Sequence, residues 1–351
     1  MGDAFNRNEK SMIPRLEIRF TLKQQLCFLF GKEYTPDENV FLLNHARSGI
    51  LLALKSLCLL PGSKIGVMAY NCHTVFNTVK KAGYEIVFID VTDSLTIDND
   101  DLKRKAPHLS ALIVSHLFGI ENDVSSLKKE FPALPIIEDC AHAYGTKHTQ
   151  GDFSVYSIGQ GKLPSLGPGG ILIVNNNRFV QYTRKLFNDL PSYNLGQSIA
   201  LFCALLIKAF LYLPLIYTTI TQHIKKNRNR PTLLEDGVMK KMSKGVSRIL
   251  QDAIKRLPAM INNRINHAKG IIVELEDNTM VEKCLYGKNA FMLIIHTNSV
   301  YGLKSYFRST GIETATHFSR CIEWAKEFGY KDNSCPNSER LINKLLMIPT
   351  Y

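Results

Sequence analysis

Several features that mark common protein classes are missing from this chain of 351 residues. Its eight cysteines form no CxxC pair and no repeated spacing, and several lie in apolar runs such as CFLF and LCLL. Free cysteine in such runs acts as a small hydrophobic residue. The N-terminus, MGDAFNRNEKSMIPR, lacks the apolar core of a secretory signal peptide. These absences predict a reduced, cytoplasmic protein.

Acidic residues are scarce relative to basic ones, since 43 Lys and Arg face 31 Asp and Glu and give a net charge of +12. Such an excess suits nucleic acid, an anionic membrane surface or phosphorylated substrates. The basic residues are dispersed except for KKNRNR at residues 225–230, and no zinc-finger spacing or RNA-binding aromatic signature accompanies them. We therefore expect no nucleic-acid partner.

Strand and helix patterns alternate from Val40 onward. The runs KIGVMAY, YEIVFIDV, LSALIVS and LPIIEDC are typical of buried strands, and helical segments beginning near Arg47 and His73 lie among them. This order predicts an α/β fold with a mostly parallel central sheet and helices on both faces. Functional residues are then expected at the carboxyl ends of the strands.

One lysine stands out in residues 151–175, GDFSVYSIGQGKLPSLGPGGILIVN. Lys162 lies between two strand candidates, and no other charge follows Asp152 in the segment. Desolvation lowers the pKa of a lysine and frees the amine to form a Schiff base. On this segment alone, an ordinary loop lysine beside a hairpin is the favoured interpretation of Lys162.

Three further pieces carry chemistry. HARSGILLAL opens a helix whose first N–H groups, with the Ser48 hydroxyl, suit a phosphate, although ordinary helix starts look alike. IIEDCAHAYG ends a strand with Asp139, which needs a cationic partner such as a protonated pyridine, an arginine or a helix N-terminus. His142 faces the same pocket or is an ordinary buried histidine. SHLFG ends another strand with His116 and Gly119.

Together these pieces resemble the DegT/StrS-type sugar aminotransferases, pyridoxal-phosphate enzymes of fold type I. The motifs that carry the resemblance, in order, are PGSKIGVMAYN with YEIVFIDV, SHLFGIENDVSSLKK, IIEDCAHAYG, SIGQGKLPSLGPGG, GIETATHFSR and CPNSERLINKLLMIPTY. The resemblance covers residues 40–180 well and 260–351 moderately. It implies an enzyme that binds pyridoxal 5'-phosphate and uses no metal.

The resemblance also implies a role for each site residue. Lys162 would form the Schiff base and move protons, and Asp139 would keep the pyridinium nitrogen protonated so that the ring is an electron sink. The other implied contacts are to the phosphate from Arg47, Ser48 and Ser157, to the ring from Cys72, His73 and His142, and to the substrate from His317. Cys72 stands where the family commonly has a stacking aromatic residue, a role that His73 could fill instead.

This sequence departs from the family pattern in several places. Gly159, Gln160 and Gly161 replace the usual His-Pro-Thr before the lysine, and Pro168 replaces a glutamate. The asparagine that normally reaches the partner's phosphate across the dimer has no clear counterpart. The chain also stops about where the family continues into a last strand and helix.

An apolar stretch at residues 199–220, IALFCALLIKAFLYLPLIYTTI, separates the two regions of resemblance. It is long enough to span a bilayer, but a span would put the two halves of one fold on opposite sides. Two interpretations stay open. The stretch is a helix pair bent at Pro214 and buried in the core or dimer, or it lies in a membrane interface beside KKNRNR as a peripheral contact through residues 199–230.

The sequence therefore predicts four regions: an N-terminal segment (1–40), a large cofactor domain (41–185), an atypical segment (186–258) and a small C-terminal α+β domain (259–351). The resemblance implies a homodimer that moves an amino group, typically from glutamate, to a nucleotide-linked keto sugar for surface polysaccharide. The alternatives are different pyridoxal chemistry on a sugar, or a membrane-associated scaffold with a degenerate site.

Overall fold

The computed structural model describes residues 13, 14, 16, 19–145, 150–223 and 238–351. The basic run at residues 225–230, to which the membrane interpretation assigned a role, lies outside these described residues.

A seven-stranded sheet forms the centre of the described chain, in the order β1-β7-β6-β5-β4-β2-β3. Its strands are β1 (Val40–Leu43), β2 (Lys64–Met68), β3 (Glu85–Ile89), β4 (Ala111–Ser115), β5 (Ile136–Cys140), β6 (Phe153–Ser157) and β7 (Gly170–Val174). β2 to β6 are parallel, while β7 is antiparallel to both of its neighbours. The predicted mostly parallel sheet is confirmed.

The sequence of the central strands explains their position. Every residue of β4, β5 and β6 is buried. β4 is an apolar run that ends in Ser115, β5 begins with two isoleucines and continues into Glu138 and Asp139, and β6 ends in Ser157. Strands buried on both faces read as continuous hydrophobic runs because helices cover each side of a parallel sheet. The polar ends collect at one edge, where parallel strands place their carboxyl termini.

Helices flank the two sheets of the fold. They are α1 (Leu22–Phe30), α2 (Ala46–Ser56), α3 (His73–Lys81), α4 (Asn99–Lys105), α5 (Val124–Glu130), α6 (Val180–Asn188), α7 (Leu195–Leu211), α8 (Pro214–His223), α9 (Lys244–Glu274), α10 (Val300–Ser309), α11 (Cys321–Lys326) and α12 (Pro336–Leu341). α2 packs closely on the sheet, because Gly49 leaves room for the Val155 side chain, whose Cγ1 would lie 2.9 Å from an added Cβ.

A second, antiparallel sheet lies in the C-terminal part, with the order β10-β9-β8. Its strands are β8 (Val281–Leu285), β9 (Met292–Thr297) and β10 (Leu345–Pro349). Together with α10 to α12 it confirms the predicted small C-terminal α+β unit. The exact boundaries predicted for the four regions stay a prediction, and α9 runs without a break through the predicted boundary at residues 258 and 259.

The apolar stretch forms two helices, α7 and α8, with Pro214 as the first residue of α8. Only Leu205 of α7 is fully buried. Within the described residues, no helix combines the length and the apolar character that a membrane crossing requires. The helix pair bent at Pro214 is therefore observed, but most of α7 is not in the core.

Candidate active site

A cavity of about 340 Å³ lies at the carboxyl ends of β4, β5 and β6, beside the start of α2. Of the nine residues to which the resemblance gives a role, seven line it: Arg47, Cys72, Asp139, His142, Ser157, Lys162 and His317. Residues that are far apart in the chain are therefore brought together around one space. The other two, Ser48 and His73, are not among the lining residues.

Asp139 is the last but one residue of β5 and only 8% exposed. Its Oδ2 accepts a hydrogen bond from Ser115 Oγ at 3.1 Å, and its Oδ1 accepts one from the Ala141 N–H at 3.1 Å. Asn71 Nδ2 in turn donates to Ser115 Oγ at 2.8 Å. Burial raises the pKa of Asp139, and its hydrogen bonds and Lys162 oppose that effect only in part. The carboxylate is thus held rigidly and would be stabilised by a cation.

Lys162 lies in the loop between β6 and β7, where its N–H donates to the Gly159 carbonyl at 3.0 Å. Burial of the amine is the largest effect on its pKa and lowers it, while the charges of Cys72 and Asp139 act in the opposite direction. Its Nζ lies 5.7 Å from the centroid of the Phe291 ring. The apolar surroundings favour a neutral, nucleophilic amine at the working pH.

The N-terminus of α2 forms another wall of the cavity through Ala46 and Arg47. Gly170 permits this position, because a Cβ there would lie 2.4 Å from the Ala46 nitrogen. The side chain of its N-cap residue, His45, makes no capping hydrogen bond. An uncapped helix start carries partial positive charge and favours an anion such as a phosphate.

The two serines predicted to bind phosphate have different positions. Ser157 ends β6 and lines the cavity, and its Oγ accepts a hydrogen bond from the Gly159 N–H at 3.3 Å. The Ser48 hydroxyl instead donates to Asn44 Oδ1 at 2.8 Å and is buried. A role for Ser48 would therefore be indirect, through the position of α2.

His142 is part of an aromatic stack at the edge of the cavity. Its ring lies 4.6 Å from that of Phe291 and 5.4 Å from that of Phe118, nearly parallel to both. Nδ1 accepts a hydrogen bond from the Phe118 N–H at 3.2 Å, which leaves Nε2 to carry the proton of the neutral ring. Burial lowers the pKa of His142 well below its usual value, and the charges of Lys162 and His317 lower it further. His142 is therefore a neutral ring whose hydrogen-bond donor is Nε2.

Cys72 and His73, which the sequence offered as alternatives, face different surroundings. The Cys72 thiol lines the cavity and accepts a hydrogen bond from Thr74 Oγ1 at 3.1 Å. Burial raises the pKa of Cys72, but hydrogen bonds from His73 and Thr74 outweigh this and lower it overall. The His73 ring packs edge-on against Trp324, with centroids 5.0 Å apart. Cys72 is therefore the residue placed to touch a bound ring.

His317 closes the cavity from the C-terminal part of the chain. Its carbonyl accepts a hydrogen bond from the Tyr70 hydroxyl at 2.9 Å, and its ring packs edge-on against Phe118. The neighbouring Phe318 also lines the cavity and has a φ of +61°. A left-handed backbone at a large side chain is strained and is often found at functional sites.

Sequence inspection missed two residues that position Asp139, namely Ser115 and Asn71. The parallel pairing of β4 with β5 places Ser115 directly opposite Asp139. Inspection of SHLFG had selected the next residue, His116, whose Nε2 contacts Glu138 Oε2 at 3.1 Å. Two features of the sequence could have indicated Ser115: the alternation of side chains along a strand, and the expected pairing of the ends of neighbouring strands.

A family model of the DegT/DnrJ/EryC1/StrS aminotransferase family matches residues 30–351. The chain belongs to this family. The resemblance deduced from the ordered motifs is confirmed.

Two solved structures related to this DegT/DnrJ/EryC1/StrS family member share its fold. Spr1654 from Streptococcus pneumoniae, in its PLP form, has a TM-score of 0.73 at 15% identity and covers 97% of this chain and 94% of that one. DesI, solved in the presence of its TDP-sugar product, has a TM-score of 0.72 at 18% identity and covers 98% and 88%. The predicted aminotransferase-type α/β fold is confirmed.

A curated relative of this family member is GDP-perosamine synthase from Vibrio cholerae. It is 26% identical over 183 residues, which are 46% of this chain and 50% of that protein. The match thus spans about half the length of the curated relative.

The cavity of this family member fits pyridoxal phosphate on its own geometry. Lys162 offers an amine of lowered pKa, and Asp139 offers a buried carboxylate that a pyridinium would stabilise. The uncapped start of α2 suits the phosphate group. Ligand cavities typically measure about 300–1,000 Å³, so the observed cavity has room for a molecule of this size.

If the cofactor fills this cavity, it should protect Cys72 from alkylation. We expect iodoacetamide to modify Cys72 in the cofactor-free protein, with a rate that rises through a pKa below the usual 9.0 of a thiol, and to modify it several-fold more slowly after pyridoxal phosphate is added. Peptide mass spectrometry provides the measurement, and the exposed Cys58 and Cys203 provide internal controls. Equal modification of Cys72 with and without the cofactor would show that the cavity does not hold it.

Proposed function

We propose that this chain is a pyridoxal-phosphate-dependent aminotransferase that moves an amino group to a keto sugar carried on a nucleotide. The observation that carries the proposal is the shared cavity of Lys162 and Asp139, a desolvated amine and a buried carboxylate. Both residues stand in the order that the family motifs require.

Each wall of the cavity has a distinct task in this proposal. When bound, pyridoxal phosphate supplies an electron sink for the electrons released at the substrate carbon. Asp139, oriented by Ser115 and Ala141, keeps the pyridine nitrogen protonated. The α2 N-terminus holds the phosphate, and His142 donates from Nε2 toward the ring oxygen.

Lys162 has two roles. Its amine would hold the cofactor and would move a proton between two carbons of the bound substrate. Both roles need an unprotonated amine, and burial favours that form by lowering the pKa of Lys162. His317, at the mouth of the cavity, would contact the sugar or its donor.

The substrate class is inferred from relatives and from charge. One relative is named as a GDP-perosamine synthase, and DesI was solved with its TDP-sugar product. A net charge of +12 suits an anionic nucleotide substrate. We further infer glutamate as the amino donor, a role in surface polysaccharide synthesis, a cytoplasmic location and a homodimer, all of which rest on the family resemblance.

The test begins with purified protein and added pyridoxal phosphate. Absorbance of the bound cofactor separates an enzyme from a scaffold with a degenerate site, which would bind none. Nucleotide-linked keto sugars are then screened with glutamate, and formation of 2-oxoglutarate and amino sugar is followed by mass spectrometry. We expect one or a few keto sugars to be aminated. Cofactor binding without amination of any keto sugar, when another sugar reaction is catalysed, would favour the alternative pyridoxal chemistry.

A further inference from the structure

α7 carries an apolar stripe on its outer face, which we call the outer stripe: Leu195, Ile199, Cys203, Ile207 and Phe210. These residues recur every three or four positions and so lie on one side of the helix. Leu195 is 78% exposed, Ile199 55%, and Ile207 and Phe210 59% each. Cys203 is exposed as well. Isolated exposed apolar residues are ordinary, but a continuous stripe marks an interaction surface.

The apolar surface continues beyond α7. Leu213 and Leu215, just after the helix, are 50% and 69% exposed. α1 lies beside α7, with the rings of Phe28 and Phe202 5.4 Å apart. α1 has exposed apolar residues of its own: Leu22, Leu26, Leu29 and Phe30. Two adjacent helices therefore carry exposed apolar side chains.

The chain segment that contains α7 carries charges of one sign. The sequence contains no Asp or Glu from residue 190 to residue 234, and the Lys and Arg residues in that interval are Lys208, Lys225, Lys226, Arg228 and Arg230. In the described chain, Lys208 lies on the last turns of α7, and Lys240 reaches its first turn, where Nζ lies 3.2 Å from Gln197 Oε1. Such a segment is complementary to an anionic surface.

We propose that the outer stripe of α7 docks this protein on the surface of an anionic lipid bilayer, with the helix lying in the plane of the interface. Interfacial helices combine an apolar face with basic residues in this way and do not cross the membrane. A symmetric dimer through the same stripe would instead bring two copies of this acid-free, basic segment together, and like charges repel.

The helix that carries the outer stripe is in contact, through its inner side, with the loop that carries Lys162. Lys208 Nζ donates to Gln160 Oε1 at 2.7 Å, and Leu205 packs against Gly167. A docked molecule would hold this loop of the cavity close to the bilayer. The docking itself does not depend on amino transfer and is tested separately.

The first test is sedimentation of the full-length protein with vesicles of phosphatidylcholine alone or mixed with phosphatidylserine. We expect salt-sensitive binding to the anionic vesicles. Ile199→Ser, Ile207→Ser and Phe210→Ser combined should weaken it about tenfold or more. The matched control changes three exposed apolar residues on other elements, Leu60→Ser, Val273→Ser and Tyr301→Ser, and should bind like the wild type.

Charge is tested with a second pair of variants. Changing Lys225, Lys226, Arg228 and Arg230 to glutamine should weaken binding to anionic vesicles by about tenfold or more, since basic residues are attracted to anionic lipid. Changing the exposed Lys64, Lys81, Lys304 and Lys331 to glutamine removes the same charge elsewhere and should have little effect. Equal losses of vesicle binding in the two variants would show that binding depends on net charge alone, and would contradict a specific docking surface.

A fluorescent label makes the orientation directly visible and does not need the apolar variant to fold. A polarity-sensitive dye on Cys203, in a Cys58→Ser and Cys72→Ser background, should shift to the blue when anionic vesicles are added. The same dye on Cys58, in a Cys72→Ser and Cys203→Ser background, should not shift. The proposal is wrong if the wild-type protein shows no vesicle binding. It is also wrong if the serine variant of the outer stripe only dissociates a dimer and the fluorescence of the Cys203 dye does not change when lipid is added.

Discussion

Lys162→Ala is expected to lower the rate of amino transfer by roughly 10⁴-fold, a factor at the upper end of what a positioned acid–base group contributes. The same change removes the only lysine amine that lines the described cavity. Cofactor would still bind through the α2 N-terminus, Ser157 and Asp139, but without a covalent link. Turnover and dialysis-resistant absorbance are the measurements, and Lys304→Ala, an exposed lysine of α10, is the control.

Loss of folding would be a trivial explanation for an inactive Lys162→Ala protein, and the direction of the Lys162 pKa shift argues against it. Burial lowers this pKa below 10.5, so the charged amine destabilises the cofactor-free fold, and the penalty fades as the pH rises from the lowered pKa toward 10.5. Lys162→Met should therefore melt no lower than the wild type without cofactor, with an advantage that shrinks at alkaline pH. A Lys162→Ala protein that still transaminates would refute the assignment.

Asp139→Asn is expected to keep the fold and some cofactor but to lose roughly 10²–10⁴-fold in turnover, since losing one partner of a buried charge pair costs about 3–5 kcal/mol. The amide retains the size of the side chain but cannot hold the proton on the pyridine nitrogen. Ser115→Ala removes only one hydrogen bond to Asp139 and should cost roughly tenfold. Steady-state kinetics of the three proteins is the measurement.

A second readout separates a cofactor role for Asp139 from a purely structural one. Burial raises the pKa of Asp139 above 3.8, so ionisation of this carboxyl group lowers the stability of the cofactor-free fold as the pH rises from 3.8 to the raised pKa, and the full penalty remains above it. Pyridoxal phosphate should therefore raise the melting temperature of the wild type more than that of Asp139→Asn. Near-normal turnover of the variant, or an equal shift on cofactor addition, would contradict the role of Asp139.

The sequence was informative where chemistry follows from chain order. Apolar runs ending in a polar residue predicted β4 and β5, and the rule for parallel strand ends placed Asp139 at the cavity. Lys162 followed from the ordered motifs, because its loop could otherwise have been any hairpin. The hydrogen bond from Ser115 to Asp139 could not be read from the sequence, since it depends on the pairing of two strands whose register the sequence leaves open.

The sequence did not show which of two adjacent residues faces the cavity. Cys72 precedes α3 and faces the cavity, whereas His73 is its first residue and packs on Trp324. Adjacent side chains at a helix start diverge, and only the packing of the neighbouring elements shows which one is inside. Ser48 is a similar case. It follows Arg47 directly in α2, but its hydroxyl donates a hydrogen bond to Asn44.

The exposure of α7 was beyond sequence analysis for a different reason. The helix is apolar almost all round, so its periodicity does not show which face packs against the protein. Phe202 and Leu205 face the described core, while Ile199 and Ile207 do not. Both the buried and the interfacial interpretations of residues 199–220 were consistent with that pattern.

Borohydride reduction of the wild-type protein loaded with pyridoxal phosphate, followed by peptide mapping, tests the central claim most directly. The amine that carries the cofactor becomes a stable secondary amine, and its peptide gains the mass of the reduced cofactor. We predict that this mass is found on the peptide containing Lys162 and is absent from Lys162→Ala. A label on another lysine, or an active protein in which Lys162 is never labelled, would contradict the proposed site.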